Sequence, residues 1–422
     1  MKLLLVLTNP YSSLDVLARA CVNAVKGDNI DVYWLYSNMF EELVQDHYSY
    51  LEFFDVVHFI AGVESFSFDL IAKTAKYCQI VSTFHHRQFS SVPDQFKLVD
   101  HLFYVSRFLE ADVKALCIPM EKTTLLHNGV DTDVFKPAYR RSENENFVIG
   151  FFGARPPNDT EDRKGTKLLL DAARQIKEQG FSPEFIIVGH GWKELVAQLR
   201  ILDLTVEYFV NVGWDQLSDL YNRLNLYLIT SYLEGGPLPL LEAGACATPI
   251  ISTPVGLALE VLAKPGCGKL LNGFDSHEIA QAVIADLRNP DQANARALKV
   301  YLEIYKHWNW FKTYRGLSKL YKGLCTEKDS QPAQNAFNQF SETYFNFQQD
   351  PIKQRNIVRL YGMVDFAWRL YYRGDYCRAF QLAFPVFGKV KFAYFWNNFL
   401  KNIIALSPPA ILFRGIKDEM RL

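Results

Sequence analysis

The 422-residue sequence predicts an α/β protein of two Rossmann-like halves, each a parallel sheet with helices on both faces, followed by a helical C-terminal segment. Three observations carry this prediction. Short apolar runs alternate with stretches of helical periodicity through most of the chain. A polar, proline-containing run at residues 136–146 (KPAYRRSENEN) divides that alternation in two. Beyond residue 335 the alternation gives way to helical patterning at 352–372, 376–387 and 389–406, broken at Gly374, Gly388 and Pro408-Pro409.

In the first half, residues 3–7, 30–35, 55–60 (DVVHFI), 80–84 and 101–105 read as buried strands, and 14–25 and 67–77 as helices. The opening MKLLLVLTNP reads as a strand and not a signal peptide, because its apolar run is too short and no small-residue cleavage site follows. The turn after it, residues 8–13 (TNPYSS), lacks the glycine fingerprint of a dinucleotide site. Thr83-Phe84-His85-His86 ends the strand at 80–84. A strand-end histidine can hydrogen-bond a ligand or relay a proton near neutral pH; the alternative is a plain surface pair.

The second half opens with a strand at 147–152. Gly153-Ala154-Arg155 and a polar loop lead to Lys164-Gly165-Thr166, where a helix begins. A lysine at a helix N-terminus opposes the helix dipole, and an anionic ligand between them would resolve the conflict. Residues 185–188 form a strand closed by Gly189-His190-Gly191, glycines that let a flat base approach the backbone. Residues 208–212 precede Gly213-Trp214, 279–287 is a helix, and 307–324 (HWNWFKTYRGLSKLYKGL) is a last helix before a polar boundary at 325–335.

Residues 231–256 (SYLEGGPLPLLEAGACATPIISTPVG) are the most informative stretch. A strand at 224–229 leads into a turn at Glu234-Gly235-Gly236. Pro237 suits a first helical turn, a helix follows, and residues 249–252 return as a strand. Glu234 therefore lies beyond the carboxyl end of a strand, where open α/β sheets bind ligands. Glu242 lies about a turn and a half into the helix. The helix start offers backbone N–H groups from Gly235, Gly236 and Leu238, with Pro237 among them, and a positive dipole end suited to phosphate. Two carboxylates beside it can accept hydrogen bonds from vicinal hydroxyls; the bland alternative is a pair of solvated acids.

Composition narrows the field. Hydrophobic residues make up 49% and charged residues 22%, and the formal net charge is −1, so bulk electrostatics favour no nucleic-acid partner. Seven cysteines stand at scattered positions with no C-x-x-C pair, which indicates neither zinc nor a disulfide framework and points to a reducing, cytoplasmic setting.

The stretch with Glu234, Gly235, Pro237, Glu242, Ala243 and Pro249 resembles the E-x7-E signature of retaining glycosyltransferases of family 4, which have the GT-B fold. It departs from that signature at Ala247 and Leu257, where the family commonly has glycine. Residues 128–135 (NGVDTDVF) resemble the family's "NGVDxxxF", Thr83-Phe84-His85 its "T-x-H" strand end, 187–191 its "IVGxG" turn and 307–324 its terminal helix. The resemblance implies a metal-independent transferase taking a nucleotide sugar as substrate, with no cofactor. Arg155 and Lys164 would hold the diphosphate, Glu242 the ribose, Glu234 and His85 the donor sugar, and Gly189 and Gly213 would lie near the base. Asp131-Thr132-Asp133 has the form of a metal-binding D-x-D but falls within the GT-B signature, so no metal is expected. The implied domains are an acceptor domain at 1–140, a nucleotide-sugar domain at 141–308, a crossover helix at 309–325 and a helical extension at 336–422. The acceptor would be a carbohydrate, a lipid-linked or another small molecule, as in polysaccharide or glycolipid biosynthesis. The aromatic, lysine-rich C-terminal helices either pack on the body or make a peripheral contact with the inner face of a membrane. A GT-B nucleotide-sugar epimerase and a non-catalytic sugar-nucleotide-binding scaffold are the alternatives.

Overall fold

A computed structural model of the protein describes residues 1–8, 13–46, 48–86, 89, 91–138, 146–155, 162–210 and 212–325. Most of the linker, the loop at 156–161 and the expected C-terminal helices lie outside the described residues. Both Rossmann-like halves belong to one compact unit, Met1–Val6 with Val16–Asp329.

The first half carries β1 (Lys2–Leu7), β2 (Asp31–Tyr36), β3 (Val56–Phe59), β4 (Gln79–Phe84), β5 (His101–Tyr104) and β6 (Thr123–Leu125), in the order β2-β1-β3-β4-β5-β6. The second carries β7 (Val148–Phe152), β8 (Glu184–Val188), β9 (Val206–Phe209), β10 (Leu226–Ile229), β11 (Ile250–Ser252) and β12 (Lys269–Leu270), in the order β12-β11-β10-β7-β8-β9. The ladders are parallel, with Leu4 opposite Val57 in the first sheet and Tyr227 opposite Ile250 in the second. Parallel strands are covered on both faces, which is why β3, β5, β7 and β10 are buried along their whole length, His58 and His101 included.

In chain order the helices are α1 (Ser13–Val25), α2 (Ser37–Asp46), α3 (Phe68–Ala75), α4 (Glu110–Ala115), α5 (Thr166–Glu178), α6 (Lys193–Ile201), α7 (Trp214–Asn222), α8 (Leu238–Ala245), α9 (Ala258–Val261), α10 (Ser276–Arg288), α11 (Pro290–His307), α12 (Trp310–Thr313) and α13 (Leu317–Leu324). In the second half α5, α6 and α10 cover one face of the sheet, while α7, α8, α9 and α11 cover the other. Among the described residues no helix is long and apolar enough to cross a membrane.

The single helix expected at 307–324 is instead the end of α11 followed by α12 and α13. The break has a cause. The Trp308 carbonyl accepts from the Val130 N–H at 2.9 Å, and the Trp310 N–H donates to the Val130 carbonyl at 3.3 Å. Those groups are thereby withdrawn from helical bonding. Asn309 then caps α12 by accepting from Lys312 N–H. Past it, α13 covers the first half from outside. Tyr321 hydroxyl lies 2.7 Å from His58 Nδ1, and the His58 Nε2 lies 2.7 Å from the Thr83 hydroxyl. Burial first, and the nearby His85 and His101, push the His58 pKa down to about 3, so its ring is neutral.

Candidate functional site

Parallel strands deliver their carboxyl ends to one edge of each sheet, and the polar side chains of interest gather at that edge of the second sheet. After β10, Thr230 turns its hydroxyl to the Lys164 carbonyl at 2.9 Å, tying the two strand-end loops together. Gly153, with φ +135°, leaves room for the Lys164 side chain to pass across the end of β7. Lys164 Nζ then reaches Glu234 Oε1 at 2.6 Å. Arg163 brings its guanidinium to 3.6 Å from Glu234 Oε2, and the Ser231 hydroxyl donates to Oε1 at 3.0 Å. A small cavity here is lined by Phe152, Lys164, Tyr227, Ser231, Glu234 and Pro237.

Burial by itself would raise the pKa of Glu234. Lys164 and Arg163, with the hydrogen bonds from Lys164 and Ser231, outweigh it and hold the carboxyl below its ordinary value. One carboxylate between two cations leaves a net positive charge at the edge. The α8 N-terminus stands beside it, with Pro237 at the cap position and no side-chain cap. Among the described hydrogen bonds none is donated by the N–H groups of Gly235, Gly236 or Leu238. These donors and the positive helix end face the same place.

Glu242 sits elsewhere in the unit. It is buried one turn further into α8, and its Oε2 accepts from the Tyr221 hydroxyl at 2.8 Å. Burial pushes its pKa up to about 7, with the Tyr221 bond acting in the opposite direction. Tyr227 lies near both acids: burial, then Glu242, then Glu234 raise its pKa well above the usual phenol value. The two carboxylates of the E-x7-E pattern thus sit in contrasting environments, Glu234 ionised and Glu242 poised near neutrality.

Across the seam, the first half presses on the Gly235-Gly236 turn. A side chain at Gly235 would collide with the His85 carbonyl oxygen. Asn128 Nδ2 donates to the Gly236 carbonyl at 2.7 Å, while its buried Oδ1 has no protein partner. Glu260 on α9 completes the seam, accepting from the Arg107 N–H at 2.8 Å and lying 2.8 Å from His127 Nε2. His85 Nε2 is 2.7 Å from the Ile60 carbonyl, so that nitrogen carries a proton and donates. Burial lowers its pKa, against the Ile60 bond. His86 is the histidine that feels the ion cluster. Burial first and Arg163 next, against Glu234, bring its pKa down to about 4.

The remaining candidates are distributed around the rim. Arg155 donates its N–H to the His190 carbonyl at 2.9 Å, which places it against the turn of Gly189 and Gly191. Gly213 caps α7, its N–H donating to Gln216 Oε1 at 3.3 Å. Asp131 Oδ1 accepts from the Asp133 N–H at 2.9 Å, so the D-x-D pattern is a self-capped turn. Leu257 takes an ordinary φ of −61° and a fully buried side chain, so no glycine is needed there.

One expectation is corrected. Lys164 does not leave a conflict for an external anion at the start of α5. That helix is capped from within the chain: Asp162 accepts from the Thr166 N–H at 2.8 Å and the Lys167 N–H at 2.9 Å. Lys164 turns away from the α5 axis, towards Glu234. Sequence reading passed over Arg163 and Asp162, and took His86 as the bystander beside His85. Asp162 followed by Thr166 is a capping pattern visible in the sequence. Nothing local distinguishes Arg163 from other loop cations until β10 brings Glu234 beside it.

The architecture is GT-B: two parallel-sheet Rossmann-like domains. Solved structures share it. Sucrose-phosphate synthase from Thermosynechococcus elongatus aligns with a TM-score of 0.62 at 16% identity over 77% of this chain and 99% of that one. Anabaena HepE in complex with UDP-glucose aligns with a TM-score of 0.61 at 18% identity over 76% and 100%. Residues 156–299 match the family model described as "Glycosyl transferases group 1". Among curated proteins, a D-inositol 3-phosphate glycosyltransferase of Mycolicibacterium paratuberculosis is 29% identical over 214 residues, covering 48% of each chain. The amylovoran biosynthesis glycosyltransferase AmsK of Erwinia amylovora is 25% identical over 247 residues, covering 55% of this chain and 58% of that one. The chain thus spans about half the length of the curated relatives it matches.

Proposed function

We propose that the protein is a glycosyltransferase of the retaining, family 4 type, moving a sugar from a nucleotide-sugar donor to a carbohydrate, lipid-linked or other small acceptor without a metal ion. The observation that carries this reading is the ion cluster at the mouth of α8. Lys164 and Arg163 share Glu234 beside the unpaired N–H groups of Gly235, Gly236 and Leu238.

A departing diphosphate gains negative charge as the anomeric carbon–oxygen bond breaks. Preorganised cations and N–H donors facing that charge are the largest contribution such a site can make. Arg155, Lys164 and the α8 N-terminus take the diphosphate, with Arg163 as a further cation. As the phosphate arrives, Lys164 divides its hydrogen bonds between it and Glu234. Glu234 and His85 hold the donor sugar. Glu242 keeps Oε2 on Tyr221 and offers Oε1 to a ribose hydroxyl. Attack from the face the diphosphate leaves conserves the anomeric configuration. The acceptor's proton then passes to the departing phosphate oxygen, so no protein base is required. The sugar-nucleotide complex of HepE makes UDP-sugars the first donors to try.

Incubation with UDP-, GDP- and ADP-sugars, following nucleotide release, tests the reading. Slow release with one donor is expected. Lys164→Ala removes a charge-assisted contact of about 1.5–3 kcal/mol, more where it tightens in the transition state, and lowers turnover by roughly tens to thousands of fold. Unchanged release in that variant refutes the assignment, and recovery of an isomerised donor points to an epimerase. Activity is expected to survive EDTA; a strict need for magnesium or manganese overturns the metal-independent reading.

A further inference from the structure

Helix α11 has two apolar faces. Each residue turns a helix by about 100°, which sorts its side chains into stripes. Ala293, Ala297, Val300 and Ile304 form one buried stripe, with Val300 and Ile304 packed on Gly244 of α8. Leu298, Leu302 and Tyr305 form a second stripe on the opposite side, spaced i, i+4, i+7. They are 55%, 55% and 58% exposed. The Tyr301 ring lies 6.1 Å from that of Tyr305 and widens the stripe. Phe311, six residues further on in α12, is 79% exposed. A solvated helix face is ordinarily polar, so a wide apolar stripe in water calls for a covering surface.

The charges around it state what that surface is. Lys299 and Lys306 flank the stripe on one side, and Lys312 of α12, Arg315 in the turn after it, and Lys319 and Lys322 of α13 follow; all six are exposed. The one carboxylate in the same span, Glu303, is engaged by Lys264 and by the Trp308 ring N–H. Apolar side chains beside unneutralised cations match an anionic lipid interface, where rings and aliphatic chains enter the acyl boundary and ammonium groups meet headgroups. A second copy packing on the same stripe would set these cations against their own copies.

We propose that the outer face of α11, extended by Phe311, docks the protein on an anionic membrane surface, with the helix lying in the interface and not crossing it. The contact belongs to the folded catalytic body and does not depend on the reaction proposed above.

The test is flotation of the full chain with vesicles of phosphatidylcholine alone or with about 30% phosphatidylglycerol. Binding is expected to the anionic vesicles only, weakening as salt rises from about 0.1 to 0.5 M. Leu298→Ser/Leu302→Ser/Tyr305→Ser and, separately, Lys299→Glu/Lys306→Glu should each lower the bound fraction by about tenfold or more. Far-UV circular dichroism should be unchanged in both, since all five side chains are exposed. The proposal is overturned by absent binding, by equal binding to neutral vesicles, or by variants that float like the parent. It is overturned in favour of a protein interface if the parent elutes as a dimer that the serine variant dissociates. Nucleotide release in solution, measured alongside, reports on the reaction separately.

Discussion

Seven residues lie between Glu234 and Glu242, yet pH should act on them in opposite directions. Glu234, with its pKa depressed, contributes stability above its unfolded pKa that is lost as pH falls. Glu242, raised to about 7, does the reverse: its folded form holds a proton that the unfolded chain releases near pH 4.5, so stability declines as pH climbs between those values. Glu242→Gln keeps the acceptor for Tyr221 and removes the buried charge. Urea melts at pH 8 should show this variant more stable than the parent by on the order of a few kcal/mol, with the gap closing below pH 4.5. Its affinity for donor should fall while kcat changes less, since a ribose contact serves ground state and transition state alike. Both acids were legible from their spacing and the flanking Gly-Gly-Pro. Their contrasting ionisation was not, because it arises from Tyr221, Lys164 and Arg163, which come from other elements.

At the level of single elements, the C-terminus of α8 shows how a departure from a pattern is absorbed. The Ala247 N–H donates to the Gly244 carbonyl and the Thr248 N–H to the Ala243 carbonyl, both at 3.0 Å. This is a Schellman closure, whose C′ residue must take positive φ; Ala247 does so at +52°. A non-glycine residue there is strained by about 1–2 kcal/mol, partly offset by the greater freedom of glycine in the unfolded chain. Ala247→Gly should therefore raise stability by up to about 1 kcal/mol, read as a higher urea midpoint at constant m value. Nine of the twelve described strands were readable because parallel strands buried on two faces stand out as apolar runs; β6, β9 and β12, short and mostly half-buried, were not. The α11 helix was not: its two apolar stripes blur the periodicity that marks an amphipathic helix. The breaks after α11 were hidden too, since they depend on Val130, far away in sequence.

For the whole molecule, the seam where the first half meets α9 and the Gly235-Gly236 turn is held, among the described residues, by a small set of close contacts. Glu260 holds the Arg107 N–H and His127, Asn128 holds the Gly236 carbonyl, and Gly235 fits against the His85 carbonyl. Glu260→Gln keeps size and weakens a charge-assisted pair of bonds, at a cost of about 1–3 kcal/mol to the closed arrangement. Small-angle scattering should show a larger radius of gyration for the variant, and the KM for donor should rise; an unchanged scattering profile would mean that Asn128 and Gly235 suffice.

The covering of His58 by Tyr321 bears on how the chain is made. His58 and Cys21 lie in the first half, and both meet tyrosines that emerge from the ribosome much later, Tyr321 for His58 and Tyr314 with Tyr321 for Cys21. A domain that folds as it leaves the ribosome has only its own residues to bury. The nascent first sheet therefore spends the synthesis of some two hundred further residues with that polar group and the Phe103 ring uncovered, a long window for chaperone capture. Stalled nascent chains ending before Leu317 should stay protease-sensitive in the first half, and those extended far enough past Leu324 to bring α13 out of the ribosome should not.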